Sequence, residues 1–165
     1  MEYNVSFDTL PMNLEEMKAL PEANMKAPEG VAALTVAALN VFPTDREECY
    51  KMLDYLRGPR PLSGMEKNFI RDRFMDGKDY LPRSYFTGAT PENNYEPSKP
   101  YTVWMKDNAA QMAEEGYKRL DLRSGGADSC RVVTLRNKPS TGEWFLWEQA
   151  LLVGIRIPTS QDPWA

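Results

Sequence analysis

Arg60, Arg71, Arg73 and Arg83 fall within one short span of the chain and alternate with Phe69, Phe74, Tyr80, Tyr85 and Phe86. Guanidinium forks hold carboxylates through paired hydrogen bonds, and aromatic faces hold flat or apolar groups. The mixture therefore suits recognition of a carboxylate, a peptide or a planar ligand. A plainer use is open to the same residues: Arg71 and Arg73 can pair with Asp72, Asp76 or Asp79 while the rings fill a core. Downstream, "SYFTGATPENNYEPSKPYTVW" (Ser84 to Trp104) adds Tyr95, Tyr101 and Trp104, and "RSGGADSCR" sets Asp128 and Arg131 beside paired glycines. Arg71, Arg73, Arg83, Tyr85, Tyr95, Tyr101, Asp128 and Arg131 form the candidate ligand-binding set.

Bond-making chemistry is harder to place. The chain has no histidine, which removes Ser-His-Asp and Cys-His arrangements, imidazole zinc sites and the commonest general base. No G-x-x-x-x-G-K-[ST] or G-x-G-x-x-G phosphate loop is present, and "MDGKD" lacks the ligand ladder of a calcium loop. No catalytic residue, cofactor or metal is assigned. The turn from Ser124 to Arg131 can be read in two ways. Its glycines could aim N–H groups at an anion, or they could serve a hairpin turn that needs positive φ. Cys130 precedes Arg131, whose charge would favour thiolate, yet a cysteine that starts a strand is usually packed. Glu15 with Glu16, Glu47 with Glu48 and Glu114 with Glu115 are neighbours whose side chains diverge on a helix. The leading expectation is a non-catalytic binding or interaction domain for a protein, a peptide or a small anionic ligand. The competing one is a small hydrolase or transferase that uses carboxylates or the Ser124–Arg131 turn.

Composition bounds both readings. At 165 residues, 42% hydrophobic and 27% charged, the chain has the make-up of one globular domain, able to bury roughly two thirds of its unfolded surface. The net charge is −4, and the acidic excess lies wholly in the first half. The basic residues are dispersed among acids, so no continuous positive stripe suits a phosphate backbone, and nucleic acid is an unfavoured partner. The longest apolar run, Val31 to Phe42, is too short for a bilayer, so no membrane span is expected. The first residues lack the basic start and apolar core of an export signal. Cys49 and Cys130 are far apart in sequence, which points to reduced thiols and a cytoplasmic location.

The elements that would position these residues divide the chain. From about residue 10 to 76 the pattern is helical. Asn13 caps a short segment ended by Pro21, and Pro28 opens a helix that is apolar on nearly every side. Thr44 with Glu47 and Ser63 with Glu66 make two capping boxes, and Gly58 stops the helix between them. Cys49, Met52, Leu53 and Leu56 share one face there, and Met65, Phe69, Ile70 and Phe74 form the apolar side of the next. From about 101 to 157 the period changes to two. "YTVWMK", "YKRLDLRS", "RVVTLRN" and "WFLWEQ" read as strands joined by short turns, with "LLVGIRIP" a further candidate. The prediction is an α+β fold, N-terminal helices packed on a C-terminal antiparallel sheet of four or five strands. The irregular segment of about 84 to 100, stiffened by Pro91, Pro97 and Pro100, is expected to fold over the join between helices and sheet with one or two tyrosines exposed. Trp164 is expected to dock on the body.

The residues "GPRPLSG", "PRSYFTGATPENNY", "SGGADSCR" and "WFLWEQALLVGIRIP...DPWA" together resemble an uncharacterised bacterial protein family, a domain of unknown function, from about Leu10 onward. The resemblance implies a bacterial origin and one self-contained domain. It brings no activity, cofactor or catalytic residue.

Overall fold

The computed structural model describes residues 1–109 and 114–165. Four helices occupy the N-terminal half: α1 (Leu14–Lys18), α2 (Pro28–Val41), α3 (Arg46–Arg57) and α4 (Gly64–Arg73). Five strands, β1 (Glu2–Phe7), β2 (Tyr101–Asp107), β3 (Tyr117–Leu122), β4 (Arg131–Lys138) and β5 (Glu143–Gln149), pair antiparallel in the order of their numbers. The fold is α+β, as its periodicities predict.

The fifth strand is not where the pattern after β5 suggested. Residues 151–158 form turns and irregular backbone, and the sheet is completed by β1, whose Phe7 lies opposite Tyr101 and whose Glu2 lies opposite Lys106. In "EYNVSF" Tyr3, Val5 and Phe7 alternate with Asn4 and Ser6, which is a strand signal in its own right. The helical half is thus inserted between two adjacent strands, so β1 closes the fold back on itself.

α2 is the central element. Every residue from Gly30 to Leu39 is buried, and it touches α3, β1, β3, β4 and β5. A helix buried on all sides needs no polar face, which is why its sequence lacks one. The sheet presents Phe7, Val103, Met105, Leu120, Leu122, Val133, Leu135 and Leu146 to this core. Their spacing of two along each strand puts the polar partners on the opposite surface.

Helix boundaries follow their caps, with one displacement. Asn13 Oδ1 accepts from the Glu16 N–H at 2.8 Å, and Pro28 opens α2. The cap of α3 is Asp45 and not Thr44: Asp45 Oδ1 accepts from the Glu48 N–H at 3.2 Å. Aspartate satisfies the exposed N–H groups and the helix dipole together, so the register moves one residue on. At α4 the box is complete. Ser63 Oγ accepts from the Glu66 N–H at 3.1 Å, and Glu66 Oε1 accepts from the Ser63 N–H at 3.0 Å. Replacing Ser63 with alanine should cost about 1 kcal/mol, seen as a fall of about 3 °C in a thermal melt.

The segment from Ser84 to Pro100 is ordered, as its stiffness suggests, but its rings point inward. Two short 3-10 turns, Pro82–Tyr85 and Pro91–Asn93, are joined by hydrogen-bonded loops, and Phe86 bridges to Val103. Tyr85, Phe86 and Tyr95 lie in the core, and Tyr101 is half-buried. The expectation of exposed tyrosines in the loop is corrected: all three aromatics of the irregular stretch are buried, because large rings gain most by leaving water. At the other end Trp164 is 92% exposed, so its expected docking is corrected too. Among the described residues no helix is long and apolar enough to cross a membrane.

Candidate functional site

The eight residues marked out in the sequence are divided among separate tasks. Arg71 and Arg73 lie on the open face of α4, where Arg71 reaches its neighbour Asp72 at 3.4 Å and Arg73 stacks over the Phe69 ring at 4.8 Å. Arg83 donates to the carbonyls of Asn94 and Tyr95, both at 3.2 Å, and so ties the loop to its own root. The Tyr85 hydroxyl donates to the Leu151 carbonyl at 2.6 Å. Tyr95 stacks on Tyr80, with centroids 5.2 Å apart, and donates to the Arg156 carbonyl. Burial pushes the Tyr95 hydroxyl up to about 12 and that of Tyr85 higher still. Tyr101 meets Phe86 edge to face. Asp128 pairs with Arg156 at 3.0 Å, and Arg131 donates to the carbonyls of Ser129, Val153 and Gly154.

The glycine turn joins the antiparallel strands β3 and β4, as a hairpin connection should, but its glycines do not supply positive φ. Neither Gly125 nor Gly126 has positive φ. Each is glycine because something stands where a side chain would go. A Cβ on Gly125 would lie 1.9 Å from the Ala89 carbonyl oxygen, and one on Gly126 would lie 2.1 Å from the Tyr95 hydroxyl. Their N–H groups are already committed, Gly125 to the Ser84 carbonyl at 2.8 Å and Gly126 to Ser124 Oγ at 3.1 Å. Burial raises the Cys130 thiol pKa, away from thiolate, and holds that of Cys49 at about 12. Among the described residues no group of three or more acidic or thiol side chains is placed to hold a metal. These contacts lend no support to a hydrolase or transferase reading of the turn.

A different arginine cluster is brought together by the α3–α4 connection, "RGPRPL". Gly58 ends α3 with φ +61° and ψ −117°, and Pro59 and Pro61 fix the φ angles of two of the next three residues. Arg57 Nε donates to the Arg60 carbonyl at 2.9 Å, and Asp54 Oδ1 accepts from the Leu62 N–H at 2.9 Å. The loop is therefore fixed at both ends, and it carries Arg60 across to the sheet edge. There the Arg60 guanidinium lies 3.9 Å from the Trp147 ring centroid and donates to the Trp147 carbonyl. Arg136 approaches the same ring at 4.8 Å, and Tyr117 meets it edge to face at 5.6 Å.

Trp147 owes its position to an irregularity in β5. Leu146 lies opposite Leu135 and Glu148 opposite Thr134, so Trp147 is the extra residue of a bulge with no cross-strand partner. Bulges turn a side chain out of the regular pleat. Four large apolar residues in a row, "WFLW", cannot all alternate, and the bulge is the backbone's answer.

Two clefts open on either side of Arg60. The first, of about 390 Å³, lies between the α3–α4 loop and the β4–β5 hairpin; its lining includes Arg57, Arg60, Arg136, Lys138, Phe145 and Trp147, and no carboxylate. The second, of about 410 Å³, lies between α3, α4 and β5, with Leu53, Leu62, Met65, Phe69 and Ile70 on its walls and Glu66 and Glu148 at its polar positions. Arg57 borders both. Its side chain is only 5% exposed, and Nη2 sits 2.8 Å from Glu66 Oε2. It is nonetheless out of line for a hydrogen bond, the one buried side-chain polar atom among the described residues that lacks one. Burial lowers the Arg57 pKa against the pull of Glu66. Burial also opposes the Glu66 charge, but hydrogen bonds from Ser63 and the nearby positive charge of Arg57 outweigh it and hold that carboxyl below its ordinary range. Arg60, Arg136 and Lys138 have no carboxylate at ion-pair distance among the described residues.

Sequence reasoning singled out Arg60 but missed Arg57, Arg136, Lys138, Phe145 and Trp147. The available signals were the Gly-Pro-Arg-Pro link between two capped helices and the unbroken aromatic run of β5. Searches among curated proteins and among solved structures return no match to this chain. A family model does match residues 9–159, which takes in every element except β1 and the last residues. The chain belongs to that family, described as Domain of unknown function (DUF6935).

Proposed function

We propose that the protein is a non-catalytic binding domain whose site is the basic cleft between the α3–α4 loop and the β4–β5 hairpin, and that its ligand is anionic with a flat or apolar body. The observation that carries this reading is the lining itself: four cationic side chains and two aromatic rings with no carboxylate, on a chain whose net charge is −4. A local excess of cations on an acidic protein concentrates anions there. The Arg60 and Arg136 guanidinium groups are already held against the Trp147 ring, so a bound carboxylate would meet donors whose freedom is largely spent before binding. The cleft volume is within the range of small-ligand sites. The two free thiols, Cys49 and Cys130, favour a reducing, cytoplasmic setting, and a bacterial source is part of the same proposal.

The test is calorimetric titration with naphthoate and with its neutral amide. Naphthoate should bind and the amide should bind at least about tenfold more weakly, the value of a charge-assisted hydrogen bond. Arg136→Gln with Lys138→Gln should weaken naphthoate by about the same factor and leave the melting temperature unchanged. Equal affinity for acid and amide, or an indifferent double variant, would reject the site.

A further inference from the structure

We propose that the two clefts beside Arg60 form one groove that takes an extended acidic and apolar peptide segment of another protein, with its acidic side chains among Arg60, Arg136 and Lys138 and a large apolar side chain between Met65 and Phe69. This rests on the basic-cleft reading and adds the class of ligand. The clefts share Arg57, Arg60, Leu146 and Trp147, so an occupant of one abuts an occupant of the other. Their chemistry differs from end to end. The hairpin end is cationic without a carboxylate, whereas the α4 end is apolar and carries Glu66 and Glu148, which repel an acid there. That asymmetry gives the occupant a polarity.

On the apolar side of α4 two residues are left open. Ile70 and Phe74 are buried in the core, but Met65 is 83% exposed and Phe69 45% exposed, both on the cleft wall. Methionine and phenylalanine side by side make an adaptable apolar contact. At the other end the three cationic heads come from the α3–α4 loop (Arg60) and from the last turnward residues of β4 (Arg136 and Lys138), while a single carboxylate fills one guanidinium fork. Several acidic side chains on one chain match three cations better than one compact anion does. An extended chain advances about 3.3 Å per residue, so a few residues span both clefts. The Arg60 guanidinium already occupies the Trp147 carbonyl at the sheet edge. The segment therefore crosses over Arg60, and its hold comes from side chains.

The test is fluorescence anisotropy with labelled, end-blocked peptides. One carries two glutamates followed by glycine and leucine; the others replace the leucine by serine or the glutamates by glutamine. The first should bind about tenfold more tightly than the serine peptide, the worth of one buried large apolar side chain, and the glutamine peptide should be weakest. Met65→Ser with Phe69→Ser should erase the leucine advantage while the serine peptide and naphthoate bind as before. If that double variant melts early, Met65→Ser alone serves, since Met65 is almost wholly exposed. Equal binding of the leucine and serine peptides, or a leucine advantage that survives the α4 substitutions, overturns the groove; retained naphthoate binding would then leave the basic cleft standing. Loss of naphthoate and peptide binding together rejects both readings. Oligodeoxythymidine that displaces the leucine peptide at lower concentration than the peptide itself would make the site a polyanion surface and would also overturn the proposal.

Discussion

Tyr95→Ala should lower the melting temperature by about 10 °C, the consequence of losing about 3–5 kcal/mol. Tyr95 is 0% exposed, its ring is stacked on Tyr80, and its hydroxyl donates to the Arg156 carbonyl. Truncation leaves a cavity the size of a ring, deprives Tyr80 of its partner, and removes the hydroxyl that donates to the part-buried Arg156 carbonyl. The backbone offers little relief, because Asn94 and Tyr95 both sit at positive φ and Arg83 pins their carbonyls. A ligand-binding tyrosine would behave oppositely, with affinity lost and stability kept. Thermal melts of the variant, paired with naphthoate titration below its transition, separate the two: the melt should shift and the affinity of the folded protein should not.

Gly58→Ala should be nearly as damaging, at about 3 kcal/mol or more, and it should also disturb the cleft. The added Cβ would fall 2.4 Å from the Phe145 ring, which lines the basic cleft. At φ +61° and ψ −117° the backbone lies in territory that side chains with a Cβ avoid. Asparagine, which tolerates the left-handed helical region, gives no rescue because this ψ lies outside it. The expected result is a melting temperature lower by roughly 6–12 °C, with naphthoate affinity reduced in whatever remains folded. A stable Gly58→Ala protein with unchanged affinity would mean that the loop and Phe145 do not define the cleft.

The fold was legible where periodicity and caps agree. Pro28 and an all-apolar run mark α2, Ser63 and Glu66 mark α4, alternation marks β2 to β4, and the turn before "WFLWEQ" marks β5. The site was much less so. Arginines close in sequence suggest a single surface, but Arg71 and Arg73 stay on α4 while Arg83 turns inward to two carbonyls. The arginines that share a ring, Arg60 and Arg136, come from a loop and from β4 and meet only because the bulge in β5 puts Trp147 between them. That meeting depends on sheet register, which local pattern does not encode. The glycines of the Ser124–Arg131 turn teach a related point. Gly-Gly suggests a special φ, whereas here the cause is a carbonyl and a hydroxyl from one distant loop, those of Ala89 and Tyr95, that occupy the space of a side chain.

The proposed binding function stands or falls with Trp147, held between Arg60 and Arg136, as one wall of an anion site. An amide and indole correlation spectrum recorded through a naphthoate titration tests this residue by residue. Saturable shifts are expected at the Trp147 indole N–H and at the backbone amides of Arg60, Arg136, Lys138 and Phe145, with the amides from Ser84 to Tyr95 unmoved. Saturable shifts centred on Arg83, Asn94 and Arg131, or the absence of any saturable shift at Trp147, would contradict it.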